Sequence, residues 1–253
     1  MNEAQPFMAR TKSFVSRARH LSPSLQQTWD AHAGDYVIDI PRGSGETMVA
    51  EDAPRLNWRQ VFGRESVVRC EIGSGNGDQI VGAAAAHPER DYVAFEVYHP
   101  GVAKTVAKAH KAGLTNLRII EADAQHAIPI IFDDHCLDEL WVFFPDPWRK
   151  SRHHKRRLVQ PAFAAEVGRI LRPGGLWRLA TDWADYAFQM RTVVEDSPFF
   201  TNPYAGMNPD PADPEGERGG FAPRWDGRVL TNFERRGVEA GRVVRDVCGQ
   251  RVP

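Results

Sequence analysis

The sequence predicts an α/β protein built on a doubly wound, mostly parallel sheet. Three observations carry that prediction. From Val67 onward, short apolar runs alternate with helical segments. The first run ends in a glycine cluster that opens a helix, and acidic residues stand at the ends of successive runs. With 253 residues, 42% of them hydrophobic, the chain can bury the core of one large domain carrying extensions.

Residues 1–60 read as a basic, partly irregular extension, and residues 61–253 as the main domain. Residues 67–72 read as a buried strand stopped by glycines, and 78–87 as an alanine-rich helix closed by Pro88. A second strand is expected at 92–97, a helix at 101–112 and a third strand at 116–121. The fourth strand, 137–144, is stopped by Pro145. A helix over 157–171 ends at Pro173-Gly174-Gly175, and 176–180 form a fifth strand. Residues 202–227 hold five prolines and five glycines, a composition that predicts a mobile loop contributing no core. Residues 229–247 are expected to supply a final strand.

Charge balance is close to neutral, with 32 Lys+Arg against 33 Asp+Glu, but its distribution is uneven. No acid occurs between Ala4 and Trp29, where Arg10, Lys12, Arg17 and Arg19 lie, nor in the run from Arg149 to Arg157. Such segments suit either a phosphate backbone or a solvated helix face. No run reaches the ~18 apolar residues of a membrane helix, and the polar N-terminus predicts no cleaved secretion signal. Cys70, Cys136 and Cys248 are scattered, without metal-ligand or redox spacing. A soluble, reducing, cytoplasmic setting without a metal is expected.

Gly73, Gly75 and Gly77 follow the first strand and open a helix, a context in which backbone approaches a ligand closely. Glu96 ends the next strand, placed to accept hydrogen bonds from ribose hydroxyls. The spacing is G-x-G-x-G, and Glu71 stands two residues before the first glycine. That carboxylate would repel a pyrophosphate and attract an ammonium group. Asp123-Ala124, past the third strand, stands where a purine amino group could be held. Three carboxylates at three strand ends suit a cationic, phosphate-free cofactor such as S-adenosylmethionine.

After the fourth strand comes Phe143-Phe144-Pro145-Asp146-Pro147-Trp148. Two prolines fix the backbone around Asp146, Trp148 could stack on a base, and the basic run follows directly. Trp148 as a core residue and Asp146 as a helix cap are the plainer alternatives.

Several motifs together resemble the bacterial tRNA (guanine-N7-)-methyltransferase family over roughly residues 67–237. They are Glu71-Ile-Gly-Ser-Gly-Asn-Gly77, Phe95-Glu96 through Val102, Phe144-Pro-Asp-Pro-Trp148 with Lys150 and His154-Lys-Arg-Arg157, Thr181-Asp182, and Thr231-Asn-Phe-Glu234. In the extension, only Ser13-Phe14-Val15 and the arginines after it match.

The resemblance implies a Rossmann-like class I methyltransferase fold of seven strands with one antiparallel. It implies S-adenosylmethionine at Glu71, Glu96, Asp123 and Asp146, with Asp146 also the active-site carboxylate. Lys150, Asp182 and Thr231, Asn232, Phe233 and Glu234 would bind substrate; Arg152, His153, His154, Lys155, Arg156 and Arg157 would touch RNA. The acceptor it implies is guanine 46 of the tRNA variable loop, the enzyme being a monomer or homodimer.

Guanine N7 carries an in-plane lone pair and no proton, so positioning matters more than a general base. Asp146 or Asp182 could accept hydrogen bonds from the N1 and N2 edge of guanine. A small-molecule methyltransferase would leave the basic segments unexplained, and a nicotinamide oxidoreductase conflicts with the glycine spacing and Glu71. A non-catalytic RNA-binding subunit would have no need of the acidic series.

Overall fold

A computed structural model describes residues 20–253; Ser13-Phe14-Val15 and the basic residues 10–19 lie outside it. Its elements in chain order are α1 (Pro23–Tyr36), α2 (Trp58–Phe62), β1 (Val68–Ile72), α3 (Asp78–Ala86), β2 (Asp91–Phe95) and α4 (His99–Lys111). Then come β3 (Leu117–Ile120), α5 (Ala124–Ile131), β4 (Leu137–Phe143), a 3-10 helix (Ser151–Arg156), α6 (Pro161–Ile170) and β5 (Leu171–Thr181). The chain continues with α7 (Ala184–Asp196), β6 (Phe200–Thr201), α8 (Asn232–Glu239) and β7 (Arg245–Arg251).

The seven strands form one sheet in the order β3-β2-β1-β4-β5-β7-β6. The first five are mutually parallel, and β7 runs antiparallel to both neighbours, so it alone opposes the rest. Strand order reverses between β1 and β4. In such sheets the crevice beyond the strands' carboxyl ends at that reversal is where ligands bind.

Side chains alternate between two apolar layers. Val68, Cys70 and Ile72 of β1 join Leu140 and Val142 of β4 on one face, while Tyr92, Ala94 and Trp141 pack with Ile80 and Val102 on the other. Glu71, at the alternate parity, therefore points to the α3–α4 face.

Prolines and caps explain where the elements depart from the expected bounds. The helix expected over 157–171 begins at Pro161, because Pro fixes the helical φ and needs no donor at a first position; residues 151–156 form the 3-10 turn instead. Residues 229–247 hold α8 ahead of the final strand. Thr231 caps that helix by accepting the Glu234 N–H at its hydroxyl, in an S/T-x-x-E sequence typical of a helix start. β5 is longer than expected: Leu171 pairs with Leu137 before Pro173-Gly174-Gly175 interrupts the register, and pairing resumes at Leu176.

Two regions read as peripheral contribute to the core. Ile40, Val49, Ala53 and Trp58 are buried with the main apolar layer, and Val37 bridges in parallel to Ile119 of β3. In the Pro/Gly-rich segment, Phe221 is buried in that same layer. Trp225 packs at 4.9 Å on Trp141, and Arg178 lies 4.6 Å above its ring. Arg191 of α7 and Asp213 form an ion pair with neither side chain exposed, and Arg191 also donates to the Gly219 carbonyl at 2.8 Å. Composition alone concealed these anchors because each partner lies on a distant element.

Candidate functional site

The glycine turn is built by left-handed backbone that side-chain-bearing residues adopt only at a cost. Gly73, Gly75 and Gly77 have φ of 76°, 56° and 77°. The Phe95 carbonyl accepts from both Gly73 and Ser74, binding the turn to the end of β2. A Cβ at Gly77 would strike Thr105 of α4, so that glycine serves close packing beneath the turn. Gly73 and Gly75, by contrast, face open space where their Cβ atoms would stand.

That space is a cleft of ≈ 280 Å³ at the reversal point. Glu71, Gly73, Ser74 and Gly75 line one side, Phe143 and Phe144 the floor, and Arg228, Val229, Thr231, Asn232 and Phe233 the other side. The motifs at 71–75 and 231–233, far apart in sequence, thus share one opening.

Glu71 is 4% exposed, and its Oε2 has no hydrogen-bond partner among the described residues. Burial pushes its carboxyl up to about 8; the neighbouring Glu96 and Asp78 charges add to the rise and the Ile80 N–H opposes it. Ser74 Oγ is likewise buried without a partner. Two unsatisfied polar groups lining one cleft are what a polar ligand would satisfy.

Glu96 is committed more heavily to the protein than the sequence suggests. Its Oε2 accepts from Gly75 N–H at 2.7 Å, and its Oε1 from Val97 and Tyr98 N–H, each at 2.8 Å. Burial still raises its pKa, against these three donors. One oxygen accepts a single bond, which leaves room for a hydroxyl donor. Asp123 caps α5, its Oδ1 accepting from Gln125 N–H at 3.0 Å, so Ala124 stands at the helix start. The Asp123 N–H donates to the Thr47 carbonyl and Arg42 to the Glu121 carbonyl, placing residues 42–49 along this end of the site. Glu96, Asp123 and Ala124 lie outside the cleft lining, beyond the glycine turn at the ends of β2 and β3.

Asp146 follows β4 in a constrained loop. Phe144 and Trp148, with φ of 53° and 45°, are non-glycine residues in the left-handed region, and prolines flank Asp146 between them. Such strain persists only where surrounding structure enforces it, and it clusters at functional sites. Asp146 lies near enough to Tyr186 to help raise the phenol's pKa, behind the larger effect of burial. Phe144 meets the exposed Phe233 ring at 5.2 Å. Trp148 is half-buried and faces the basic run: Arg156 lies 5.2 Å over its ring and His153 meets it edge-on.

Two further expected site residues are buried among partners of the protein itself. Arg157, expected to touch RNA, is 2% exposed; it donates to the Pro147 carbonyl and Gln189, pairs with Asp185 and lies over Tyr186. It braces the Asp146 loop from beneath. Glu234, expected at the substrate, is 2% exposed and receives Arg224 at 3.0 Å and Arg228 at 3.0 Å. Its motif partners Asn232 and Phe233 remain exposed. Asp182 is held by Arg242 at 2.7 Å, and Lys150, Arg152, Lys155 and Arg156 project into solvent, while His153 and His154 are half-buried. Sequence reasoning gave no site role to Asp78, Gln79, Arg228 or Val229, which line the cleft; only Asp78 and Gln79, directly after the glycine turn, carried a local signal. Among the described residues no helix is long and apolar enough to cross a membrane, and no cluster of His, Cys, Asp or Glu could hold a metal.

Residues 65–218 match the family described as "Putative methyltransferase". The chain is 45% identical to a tRNA (guanine-N(7)-)-methyltransferase of Cutibacterium acnes over 240 residues, covering 95% of this chain and 83% of that protein. It is 38% identical to the enzyme of the same name from Pseudomonas putida, covering 99% of this chain and 94% of that one. Among solved structures, the 16S rRNA methyltransferase KamB superposes with a TM-score of 0.54 at 19% identity, over 82% of this chain and 99% of its own. That likeness concerns the fold.

Proposed function

Because the chain belongs to the bacterial tRNA (guanine-N7-)-methyltransferase family, we propose that its cleft brings S-adenosylmethionine and a tRNA guanine together across the opening between Glu71 and Phe233. The activity is transfer of the methyl group to guanine N7 in tRNA. The observation carrying the site assignment is the buried Glu71 Oε2, which has no partner among the described residues and sits in a cleft that the 231–233 motif also lines.

The residues fit the cofactor. Glu71 would receive its ammonium group, the bare backbone of Gly73 and Gly75 its methionine chain, Glu96 a ribose hydroxyl, and Asp123 with the Ala124 N–H the adenine edge. Bound there, the cofactor supplies an electrophilic methyl group on a sulfonium. The protein's part is alignment and charge. Asp146, at the end of β4, faces the guanine as positive charge develops on its ring, and its fixed carboxylate stabilises that charge. The Phe144–Phe233 pair offers an aromatic wall against which a base can stack. Asp182 and Lys150 complete the acceptor side, and guanine 46 of the variable loop is the expected acceptor.

Incubation with labelled S-adenosylmethionine and bulk tRNA, then borohydride and aniline, tests this reading. Strand cleavage should map to position 46. Label entering tRNA without aniline-sensitive sites would refute N7 as acceptor, and cleavage elsewhere would refute the position.

The exposed members of the basic run contact phosphates. Neutralising Arg152, Lys155 and Arg156 together should weaken tRNA binding and flatten its log–log salt dependence by roughly 2 to 3. An unchanged slope would mark the run as a solvated face. Arg157→Ala should instead lower thermal stability, since it leaves a cavity and strands the half-buried Pro147 carbonyl and Gln189.

A further inference from the structure

We infer that Gln79 is a positioning residue that latches the acceptor side of the cleft to the cofactor turn. Gln79 is the second residue of α3, immediately after the glycine turn, and is 3% exposed. Its amide reads a stretch of backbone 148 to 150 residues away. Nε2 donates to the Gly227 carbonyl at 2.9 Å, and Oε1 accepts the Val229 N–H at 2.6 Å. Two opposed bonds from one planar amide fix the distance and the rotation of that backbone.

The same stretch is held closely from other directions. A Cβ at Gly82 of α3 would come within 3.3 Å of Val229, and one at Gly227 would enter the Trp225 ring. On the far side, Arg228 pairs with Asp246 of β7 and with Glu234 of α8. Two residues beyond Val229, Thr231 starts α8, and Asn232 and Phe233 form the acceptor wall. Gln79 touches none of the proposed reacting atoms. It sets where the wall that receives guanine stands relative to the turn that receives the methyl donor.

In-line transfer is sensitive to that spacing: a displacement near 1 Å at reacting atoms can cost about 10²-fold in rate. The inference rests on the proposed donor and acceptor sides, and it separates from them experimentally. Gln79→Met keeps the bulk and removes both bonds. It should lower kcat/KM for tRNA about 10- to 100-fold while calorimetry finds S-adenosylhomocysteine affinity within threefold of wild type. Gln79→Glu, which keeps the oxygen facing Val229 N–H but loses the donor to Gly227, should fall between them.

Hydrogen exchange provides a readout that needs no turnover. In the wild type, S-adenosylhomocysteine alone should slow exchange at the Val229 amide, and Gln79→Met should abolish that response. Normal kcat/KM in Gln79→Met, or a loss of S-adenosylhomocysteine affinity in proportion to kcat, would overturn the inference. Should Gln79→Met not fold, a Val229 amide indifferent to the ligand in the wild type overturns it equally. A wild type that binds S-adenosylhomocysteine but leaves tRNA unmethylated would refute the proposed function and leave the latch measurable.

Discussion

Replacing Asp146 with alanine is expected to lower methyl transfer by about 10²- to 10³-fold while tRNA affinity stays within a few-fold of wild type. The two effects separate because they rest on different parts of the loop. The proposed phosphate contacts belong to Arg152, Lys155 and Arg156, which are exposed. Asp146 sits between prolines and two left-handed residues, so its carboxylate is placed before substrate arrives and loses nothing to reorganisation. Guanine attacks through a lone pair and becomes cationic, so a fixed negative charge favours the transition state over the neutral ground state. Asp146→Asn keeps the hydrogen-bonding shape without the charge and should recover only part of the rate. Single-turnover rates with saturating tRNA and S-adenosylmethionine measure this. Turnover within threefold of wild type in Asp146→Ala would remove the residue from the mechanism.

Glu71→Gln should produce opposite changes in binding and in stability. The carboxyl is buried and its pKa is pushed up to about 8, from 4.5. A group whose folded pKa exceeds its unfolded value contributes stability that is fully present at acid pH, below the ordinary carboxylate range. That stability is lost as pH rises through the folded value, here about 8. The isosteric amide is neutral throughout. Its thermal midpoint should match wild type near pH 4 and exceed it by several degrees at pH 8 to 9, reflecting a difference on the order of a few kcal/mol.

S-adenosylmethionine affinity should fall at least about 10²-fold in the same variant, because the ammonium loses a charged partner in a dry site. Wild-type affinity should climb as pH approaches 8, with proton release seen as a binding heat that varies with the buffer's ionisation enthalpy, and the variant should show neither. 5′-Methylthioadenosine, which lacks the amino-acid portion, should bind both proteins with little pH dependence. Equal S-adenosylmethionine affinity in the two proteins would refute the role of Glu71.

Periodicity and punctuation made β1 to β4 legible within a residue or two, since each is a short apolar run bounded by glycine, proline or charge. The glycine turn was legible for the same reason: three positive-φ positions leave little choice of residue. Two departures from the expected elements carry local signals. Thr231-Asn-Phe-Glu234 is a helix-start signature, and Pro161 marks a first helical position.

Other features had no local signal. Nothing near Arg157 in sequence shows that Gln189 and Asp185 bury it, and nothing near Glu234 announces Arg224 and Arg228. The type of residue told of charge; only the fold told whether that charge meets solvent. The Pro/Gly-rich segment is the clearest case, because its anchors, Arg191 and Arg178, come from α7 and β5.

The antiparallel strand has a consequence for biosynthesis. β7 lies between β5 and β6, and is the last of the seven to be made. Until residues 245–251 leave the ribosome, β5 presents a bare edge, an open template for intermolecular pairing. Arg228 also lacks Asp246 until then, so one wall of the cleft is held by Glu234 and Gln79 without its β7 anchor. A nascent chain therefore cannot assemble the complete pocket early, and ribosome-stalled chains ending before Arg245 should depend on chaperones to stay soluble.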